Sequence, residues 1–187
     1  MTITEPTNQI NGVDVEHLIH AREVLTGAPP AAQFTFRAAS EWVDGNQAST
    51  TVDGFFARGE EQAHARPHTV VSDHPSLFGA ADGGATPPEL ALMALAGCLT
   101  AGIASIAQNW GVKLNSVTAN LEADMDMQGI LGIDPDVRNG FSSVRVAYDI
   151  DADTDDATVE AIVAQSQKRS AVFDIITNPT AVSVEVV

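Results

Sequence analysis

The stretch that decides the fold is Thr86-Pro-Pro-Glu-Leu-Ala-Leu-Met-Ala-Leu-Ala-Gly-Cys-Leu-Thr-Ala-Gly-Ile-Ala-Ser-Ile-Ala-Gln-Asn-Trp-Gly111. Its first residues predict a helix with Thr86 as the N-cap and Pro87 in the first helical position. Glu89 stands three residues after the cap, the spacing of a capping box. Gly111 is predicted to end the helix, about 36 Å further on at the usual helical rise. The pattern therefore predicts one long, apolar helix.

The two faces of this helix differ in side-chain size when about 100° is allowed per residue. The small face contains Ala94, Gly97, Ala101, Ser105 and Gln108, and the bulky face contains Leu92, Leu95, Leu99, Ile103, Ile106 and Trp110. The bulky face is expected to pack on a sheet. The small face permits the close approach of another backbone, which can be a second helix of this chain or the same helix of a second copy.

Cys98, the only cysteine in the chain, lies beside the small face. One thiol cannot form a disulfide within the chain, so Cys98 is either a small packed residue or a reactive group. The helical pattern by itself leaves both interpretations open.

Composition excludes several classes of function. The chain has 187 residues, enough for one domain, and 25 acidic against 9 basic residues give a formal net charge of −16. Such a charge repels nucleic acids and anionic membranes, so neither is expected as a partner. The uncharged run 90–107 approaches the length of a membrane span, but its Ala, Gly, Ser and Thr content favours a helix buried by protein.

The N-terminus lacks the pattern of a signal peptide, and together with the lone cysteine this predicts a cytoplasmic protein. No set of Cys and His residues has the spacing of a zinc site, so no metal is expected. The chain also has no phosphate-binding loop and no Gly-x-Ser-x-Gly sequence, and no cofactor is predicted.

The remaining pattern predicts an α+β domain with a mainly antiparallel sheet. A loose tail and a short appended helix are expected in residues 1–32, and the main domain in residues 33–187. Apolar residues between Gly129 and Gly140 indicate that this connection packs back on the domain. Strands are expected near 34–37, 48–56, 68–71, 117–127, 144–150 and 182–186, and further helices over 13–26, 155–169 and 170–176.

Three motifs make residues 33–187 resemble the OsmC/Ohr family, the osmotically inducible and organic hydroperoxide resistance proteins. They are Thr86-Pro-Pro-Glu-Leu, Ala94-Leu-Ala-Gly-Cys98-Leu-Thr and Ser170-Ala-Val-Phe-Asp. The resemblance implies an intertwined homodimer with the long helices buried at its centre. It also implies that Cys98 is the cysteine that attacks the peroxide and is oxidised to a sulfenic acid.

The chain departs from this family's peroxidases at two places. Ser170 occupies the position of the resolving cysteine, and a hydroxyl cannot form the disulfide that closes their cycle. The expected arginine of the first hairpin is missing from Glu41-Trp-Val-Asp-Gly45, which leaves Arg37 and Arg58 as candidate substitutes. Glu89 matches the glutamate that precedes the family's long helix, and helix capping is its preferred role.

The resemblance favours a thiol peroxidase that reduces organic hydroperoxides through Cys98 and depends on an external thiol as reductant. The alternative is a non-enzymatic protein that binds a small apolar molecule, with Cys98 as a packing residue or a redox sensor. The missing second thiol and the missing arginine support the alternative, because reactivity requires a lowered thiol pKa.

Overall fold

The computed structural model describes residues 9–186 as an α+β fold with antiparallel sheets and one long central helix, which confirms the predicted class. The helices are α1 (Val15–Gly27), α2 (Pro87–Trp110), α3 (Met127–Ile130), α4 (Asp156–Arg169) and α5 (Ala171–Thr177). The strands are β1 (Thr35–Phe36), β2 (Ala39–Asp44), β3 (Gln47–Ala57), β4 (Glu60–Ser72), β5 (Leu114–Asp124) and β6 (Ser143–Ala152). Two short 3-10 helices cover Pro29–Ala32 and Ser76–Phe78.

The described residues form two compact units. One contains residues 9–15 and 91–186, and the other contains Glu16–Leu90. We call them the cysteine unit and the strand unit. The division predicted from the sequence, at residues 32 and 33, stays a prediction.

The strand unit is an antiparallel sheet in which β3 pairs with β1 and β2 on one side and with β4 on the other. The predicted turn at Asp44-Gly45 joins β2 to β3, with Gly45 at a φ of 52°. A second tight turn, at Arg58 and Gly59, has φ values of 56° and 86°. Two successive positive φ values are the geometry that suits the twist of a two-residue hairpin.

The strand expected at 68–71 is much longer in the structure, because β4 begins at Glu60, directly after the second hairpin turn. Its register against β3 shifts between the pairs Val52–His68 and Gly54–Ala63. Pro67, which has no N–H to donate, lies within this irregularity. The bulge interrupts the alternation of side chains and explains why only the last part of the strand is visible in the sequence.

The loop before α2 is organised by Asp73, whose side chain is buried. Its carboxylate accepts hydrogen bonds from the backbone N–H of His74 at 2.7 Å and of Gly83 at 2.9 Å. These bonds hold the pKa of Asp73 below its ordinary value, with the Gly83 bond as the largest cause. A buried carboxylate thus fixes the backbone that leads into the long helix.

The cysteine unit is built on the bulky face of α2, as predicted. Of the six residues predicted for that face, Leu95, Leu99, Ile103 and Ile106 are buried, whereas Leu92 is half-buried and Trp110 is 47% exposed. Ile103 and Ile106 form a core with Ile162 of α4, and side chains of the β5–β6 hairpin pack against that core. At the C-terminal end of the helix, Gly111 has a φ of 71°. The N–H of Val112 bonds the carbonyl of Ala107 at 2.9 Å, as in a Schellman motif.

Gly102 of α2, which lies outside the predicted small face, contacts α4. A Cβ at Gly102 would overlap the Ser166 hydroxyl and lie 3.2 Å from the Ser166 Cβ. The Ser166 hydroxyl donates to the carbonyl oxygen of Leu99 at 2.6 Å. By contrast, Ala94, Gly97 and Ala101 are exposed. The absence of a side chain at Gly102 is therefore what lets α4 approach this closely.

Asn11 ties the N-terminal region to the end of the long helix. Its side-chain N–H donates to the carbonyl of Val112 at 2.8 Å, and its side-chain oxygen accepts from the N–H of Leu114 at 2.9 Å. Its backbone N–H donates to the side-chain oxygen of Gln108 at 2.7 Å. This segment therefore stabilises the turn between α2 and β5, a contact that the sequence pattern did not indicate.

The predicted end of one strand is wrong, and so is the prediction of a last strand. Strand β5 ends at Asp124 and not at Met127, because the Asp126 side chain accepts from the N–H of Gln128 and starts α3. The predicted last strand is absent, since residues 182–186 have no strand partner in the described structure. Val182 and Val184 are 81% and 90% exposed. An alternating apolar segment forms a strand only where another strand offers hydrogen bonds.

The connection from 129 to 140 folds back on itself, since Gly129 lies against the backbone carbonyls of Val137 and Arg138. Its apolar side chains are less covered than expected, however. Ile130 and Ile133 are 50% and 66% exposed.

Candidate functional site

Cys98 lies on α2 at the boundary between the buried and the exposed faces of the helix. Its neighbour Leu99 is buried and its neighbour Gly97 is exposed, whereas Cys98 itself is half-buried. A thiol in this position is shielded on one side by protein and is open on the other. Such partial exposure is typical of reactive cysteines and differs from that of a fully packed one.

Ser170 lies at the junction between α4 and α5 and contacts Cys98. Its hydroxyl oxygen lies 3.1 Å from the Cys98 Sγ and donates a hydrogen bond to it. The same oxygen accepts a bond of 3.1 Å from the N–H of Phe173, which makes Ser170 the N-cap of α5. Ser170 is 6% exposed. The structure thus brings together the two residues that the sequence analysis singled out as a pair, 72 positions apart.

The contacts of the sulfur favour its ionised form. The hydrogen bond from the Ser170 hydroxyl is the largest cause that lowers the pKa of Cys98, and the backbone N–H groups of Val172 and Ala171 add to it. Partial burial opposes them by penalising the charge, but the net direction is downward. Because the thiolate is the nucleophile, these contacts increase the reactive fraction of Cys98 at a given pH.

An apolar cavity of about 230 Å³ lies within the cysteine unit and is lined by residues that neighbour Cys98 and Ser170, but not by these two residues themselves. Leu99, which follows Cys98, lines it, as does Phe173, which bonds Ser170. The remaining lining residues are Ile103, Val144, Val146, Tyr148, Val163, Ser166 and Gln167. The cavity is large enough to hold a small apolar group, and its chemistry disfavours a charged one.

A second groove of about 380 Å³, which includes charged side chains in its lining, runs between α4 and α5. Ser170 and Phe173 line it, together with Lys168 and Asp174. Phe173 therefore borders both spaces, with apolar side chains on one side and charged ones on the other.

Glu89 forms the capping box that the sequence predicts. Its carboxylate accepts from the N–H of Thr86 at 2.7 Å and from the Thr86 hydroxyl at 2.8 Å. These bonds, the first of them most strongly, lower the pKa of Glu89. The carboxylate is thus engaged in starting α2, and any role of Glu89 toward Cys98 stays a prediction.

The two candidate arginines, Arg37 and Arg58, both lie in the strand unit. Both terminal nitrogens of Arg37 donate to the Glu61 carboxylate, at 2.6 and 3.0 Å. Arg58 is in the turn between β3 and β4, at a φ of 56°. A support of either side chain for the thiolate therefore stays a prediction.

The described residues 9–186 contain no group of three or more His, Cys, Asp and Glu side chains that could hold a metal ion.

The sequence analysis missed the backbone N–H groups of Ala171 and Val172, which contribute to lowering the pKa of Cys98. A Ser followed by a short apolar helix signals an N-cap, but it does not reveal which side chain that cap will meet.

The sequence model described as OsmC-like protein matches residues 79–185, more than half of the chain. The match contains the long helix, Cys98 and Ser170. This chain belongs to the OsmC-like protein family. Membership supports a hydroperoxide-resistance or redox-related role. No curated protein sequence matches the chain.

Solved structures of OsmC-like proteins share the fold at low sequence identity. An OsmC-like protein from Mycoplasma pneumoniae has a TM-score of 0.58 at 12% identity, over 76% of this chain and 87% of that one. An organic hydroperoxide resistance protein OsmC from Legionella pneumophila has a TM-score of 0.51 at 18% identity, over 78% and 90%. An OsmC-like protein from Vibrio cholerae has a TM-score of 0.53 at 10% identity, over 74% and 91%.

By length and composition α2 is apolar enough to cross a membrane. One face of this helix nevertheless forms part of the core of the cysteine unit.

Proposed function

We propose that this protein is a one-cysteine thiol peroxidase that reduces organic hydroperoxides through Cys98. The observation that carries the proposal is the half-buried Cys98 sulfur, which accepts a hydrogen bond from the buried Ser170 hydroxyl at 3.1 Å. This contact favours the thiolate, and the thiolate is the form that attacks a peroxide. Membership of the OsmC-like protein family also supports a hydroperoxide-resistance or redox-related role.

The reaction that we propose has two halves. In the first, the Cys98 thiolate attacks one peroxide oxygen, the O–O bond breaks, and the departing alkoxide takes a proton to become an alcohol. Cys98 is thereby oxidised to a sulfenic acid. In the second, an external thiol displaces water and forms a mixed disulfide with Cys98. Another external thiol then releases the Cys98 thiol and leaves as the oxidised disulfide.

The apolar cavity supports an organic hydroperoxide as the substrate. Hydrogen peroxide has no apolar part to bury, whereas the organic group of a larger peroxide gains about 25 cal/mol for each Å² that it removes from water. Leu99, Ile103 and Phe173 supply such a surface. Arg37 and Arg58 are proposed as electrostatic support for the thiolate, and Glu89 is proposed to act only through the cap of the helix that carries Cys98.

A homodimer is the proposed assembly, and the cytoplasm is the proposed location. The exposed side chains at Ala94 and Ala101 flank Gly97, and a Cβ at Gly97 would meet no atom within 4 Å in the single chain. Stripes of small residues allow close contact between helices, so a second copy can occupy this surface. Light scattering on wild type and Gly97→Phe tests this assignment, since the bulky ring is expected to convert a dimer into a monomer. A monomeric wild-type protein would contradict the assignment.

The decisive experiment for the activity compares wild type with Cys98→Ser. With cumene hydroperoxide and excess dithiothreitol, wild type is expected to consume peroxide over many turnovers and the variant none. Circular dichroism shows whether the variant keeps the fold. The proposal fails if mass spectrometry finds no oxidation of Cys98 after native wild type has been exposed to the peroxide.

The apolar cavity also favours a second candidate function, the binding of a small apolar molecule without turnover, with Cys98 as a sensor. In that case an apolar fluorescent probe binds wild type and Cys98→Ala equally well, and no peroxide is consumed. Loss of probe binding in variants that fill the cavity, such as Val146→Phe, would locate the ligand there.

A further inference from the structure

The hydroxyl of Ser170 is held in one orientation by its surroundings. A serine hydroxyl has one hydrogen to donate, and its oxygen can accept in return. Here the oxygen accepts from the N–H of Phe173 at 3.1 Å, and Cys98 Sγ lies at 3.1 Å as the acceptor. The hydrogen is therefore directed toward the sulfur.

The backbone on both sides of Ser170 is also fixed. Its N–H bonds the carbonyl of Gln167 at 3.3 Å, and its carbonyl accepts from the N–H of Asp174 at 3.1 Å. The residue is 6% exposed, so water competes little for the hydroxyl. A donor that is held in place in this way needs no rearrangement when charge develops on the atom that it faces.

We infer that Ser170 is a catalytic residue of the proposed peroxidase, because its hydroxyl donates to the Cys98 sulfur and keeps that sulfur in the reactive, ionised form. This inference rests on the proposed function. It assigns to Ser170 a positive role in the first half of the reaction. Ser170 therefore contributes to the reaction, although it cannot form the disulfide of a second cysteine.

The chemistry of the Ser170 side chain also determines how the sulfenic acid is reduced. Ser170 forms no covalent bond with the sulfenic acid, so both electrons for its reduction come from the external thiol, in the order given above. Until that thiol arrives, the oxidised sulfur stays next to a hydroxyl donor. Every turnover therefore consumes two external thiols and yields one disulfide, one alcohol and one water.

The groups that face the sulfur in the cysteine unit are the Ser170 hydroxyl and the N–H groups of Val172 and Ala171. All of these donors are uncharged. A change in the ionisation of Cys98 that follows the loss of the hydroxyl can therefore be assigned to one hydrogen bond, without a change in a neighbouring charge.

The test uses two substitutions of Ser170 and one matched control. Ser170→Ala removes the hydroxyl and the helix cap together. Ser170→Gly removes the hydroxyl but keeps most of the cap, because glycine caps helices nearly as well as serine. Ser166→Ala removes another buried hydroxyl of α4, which donates to the carbonyl of Leu99 at 2.6 Å and not to the sulfur.

Alkylation of Cys98 by iodoacetamide is measured from pH 5 to 10 on the folded proteins. Both Ser170 variants are expected to have a higher midpoint of the pH profile and a rate about tenfold lower below that midpoint, as follows from losing one hydrogen bond to a charged group. Ser166→Ala is expected to keep the wild-type midpoint. An unchanged midpoint in both Ser170 variants would overturn the inference.

Single-turnover oxidation by cumene hydroperoxide separates this inference from the proposed function. If the oxidation rate falls with the thiolate fraction in both Ser170 variants, the catalytic role is supported. If wild-type Cys98 does not react with the peroxide at all, the proposed function fails even where the alkylation midpoint has moved. If the peroxide oxidises the Ser170 variants as fast as wild type, the function stands and the role of Ser170 is refuted.

Discussion

Replacement of Gly102 by alanine tests the packing that holds α4 against the long helix. The new methyl group would overlap the Ser166 hydroxyl and lie 3.2 Å from the Ser166 Cβ. Ser166 is 2% exposed and bonds Leu99, so its hydroxyl has no free space to enter. In an open helix the same substitution would stabilise, because alanine has the higher helix propensity.

The expected size of the effect follows from these opposing contributions. Alanine gains about 1 kcal/mol over glycine in helix propensity. Loss of the buried Ser166 hydrogen bond costs about 1.5 kcal/mol, and overpacking costs about as much again. We therefore expect Gly102→Ala to lower the free energy of unfolding by about 2 kcal/mol.

Urea denaturation at a fixed protein concentration measures this change, since association would otherwise alter the apparent stability. Gly27→Ala is the control, because a Cβ at Gly27 has no atom within 4 Å. Adding Ser166→Gly to Gly102→Ala removes the overlap, so the double variant should be less destabilised than the sum of the single ones. Full additivity, or a Gly102→Ala protein as stable as wild type, would refute the packing argument.

Three further predictions concern other contacts. Asn11→Ala should lower the free energy of unfolding by about 2 kcal/mol in urea denaturation through the loss of two side-chain hydrogen bonds, whereas exposed Asn115→Ala should change it by less than about 0.5 kcal/mol. Ser170→Cys should form a disulfide with Cys98 after one equivalent of peroxide, and a persistent free-thiol signal in Ellman's assay would contradict this. The lowered pKa of Asp73 means that its contribution to stability is complete above about pH 4 and is lost as the pH falls through the folded-state pKa. Stability of Asp73→Asn should therefore fall less steeply with acid than that of wild type, and parallel curves would contradict the assignment.

Local patterns in the sequence predict the elements whose formation depends on neighbouring residues. The capping box at Thr86 and the turn at Gly111 define α2, and strict alternation defines the paired parts of β5 and β6. Periodicity also places the buried residues in the middle of α2, from Leu95 to Ile106, on one face, although Trp110 of the same face is exposed. In each case the residues that give the sequence pattern belong to the element itself or lie next to it.

Elements that depend on distant partners are predicted less well. Most of β4 escapes detection because its hairpin turn is Arg58-Gly59 and a bulge near Pro67 breaks its alternation. The segment from Val182 to Val186 has strand periodicity but no strand beside it in the described residues. The contact between Cys98 and Ser170 is not derivable from periodicity, and only the family resemblance indicated that the two positions belong together.

The contact between Ser170 and Cys98 also makes the thiol a reporter of local opening. Because Ser170 caps α5 and donates to the sulfur, release of α5 would take this hydrogen-bond donor away from the one thiol of the chain. Any thiol-specific label thus attaches at a single known position. The label reacts with the accessible thiolate of the folded protein, so detachment of α5 in mild denaturant is expected to slow its attachment at low pH, and this change reports the sub-global motion separately from global unfolding.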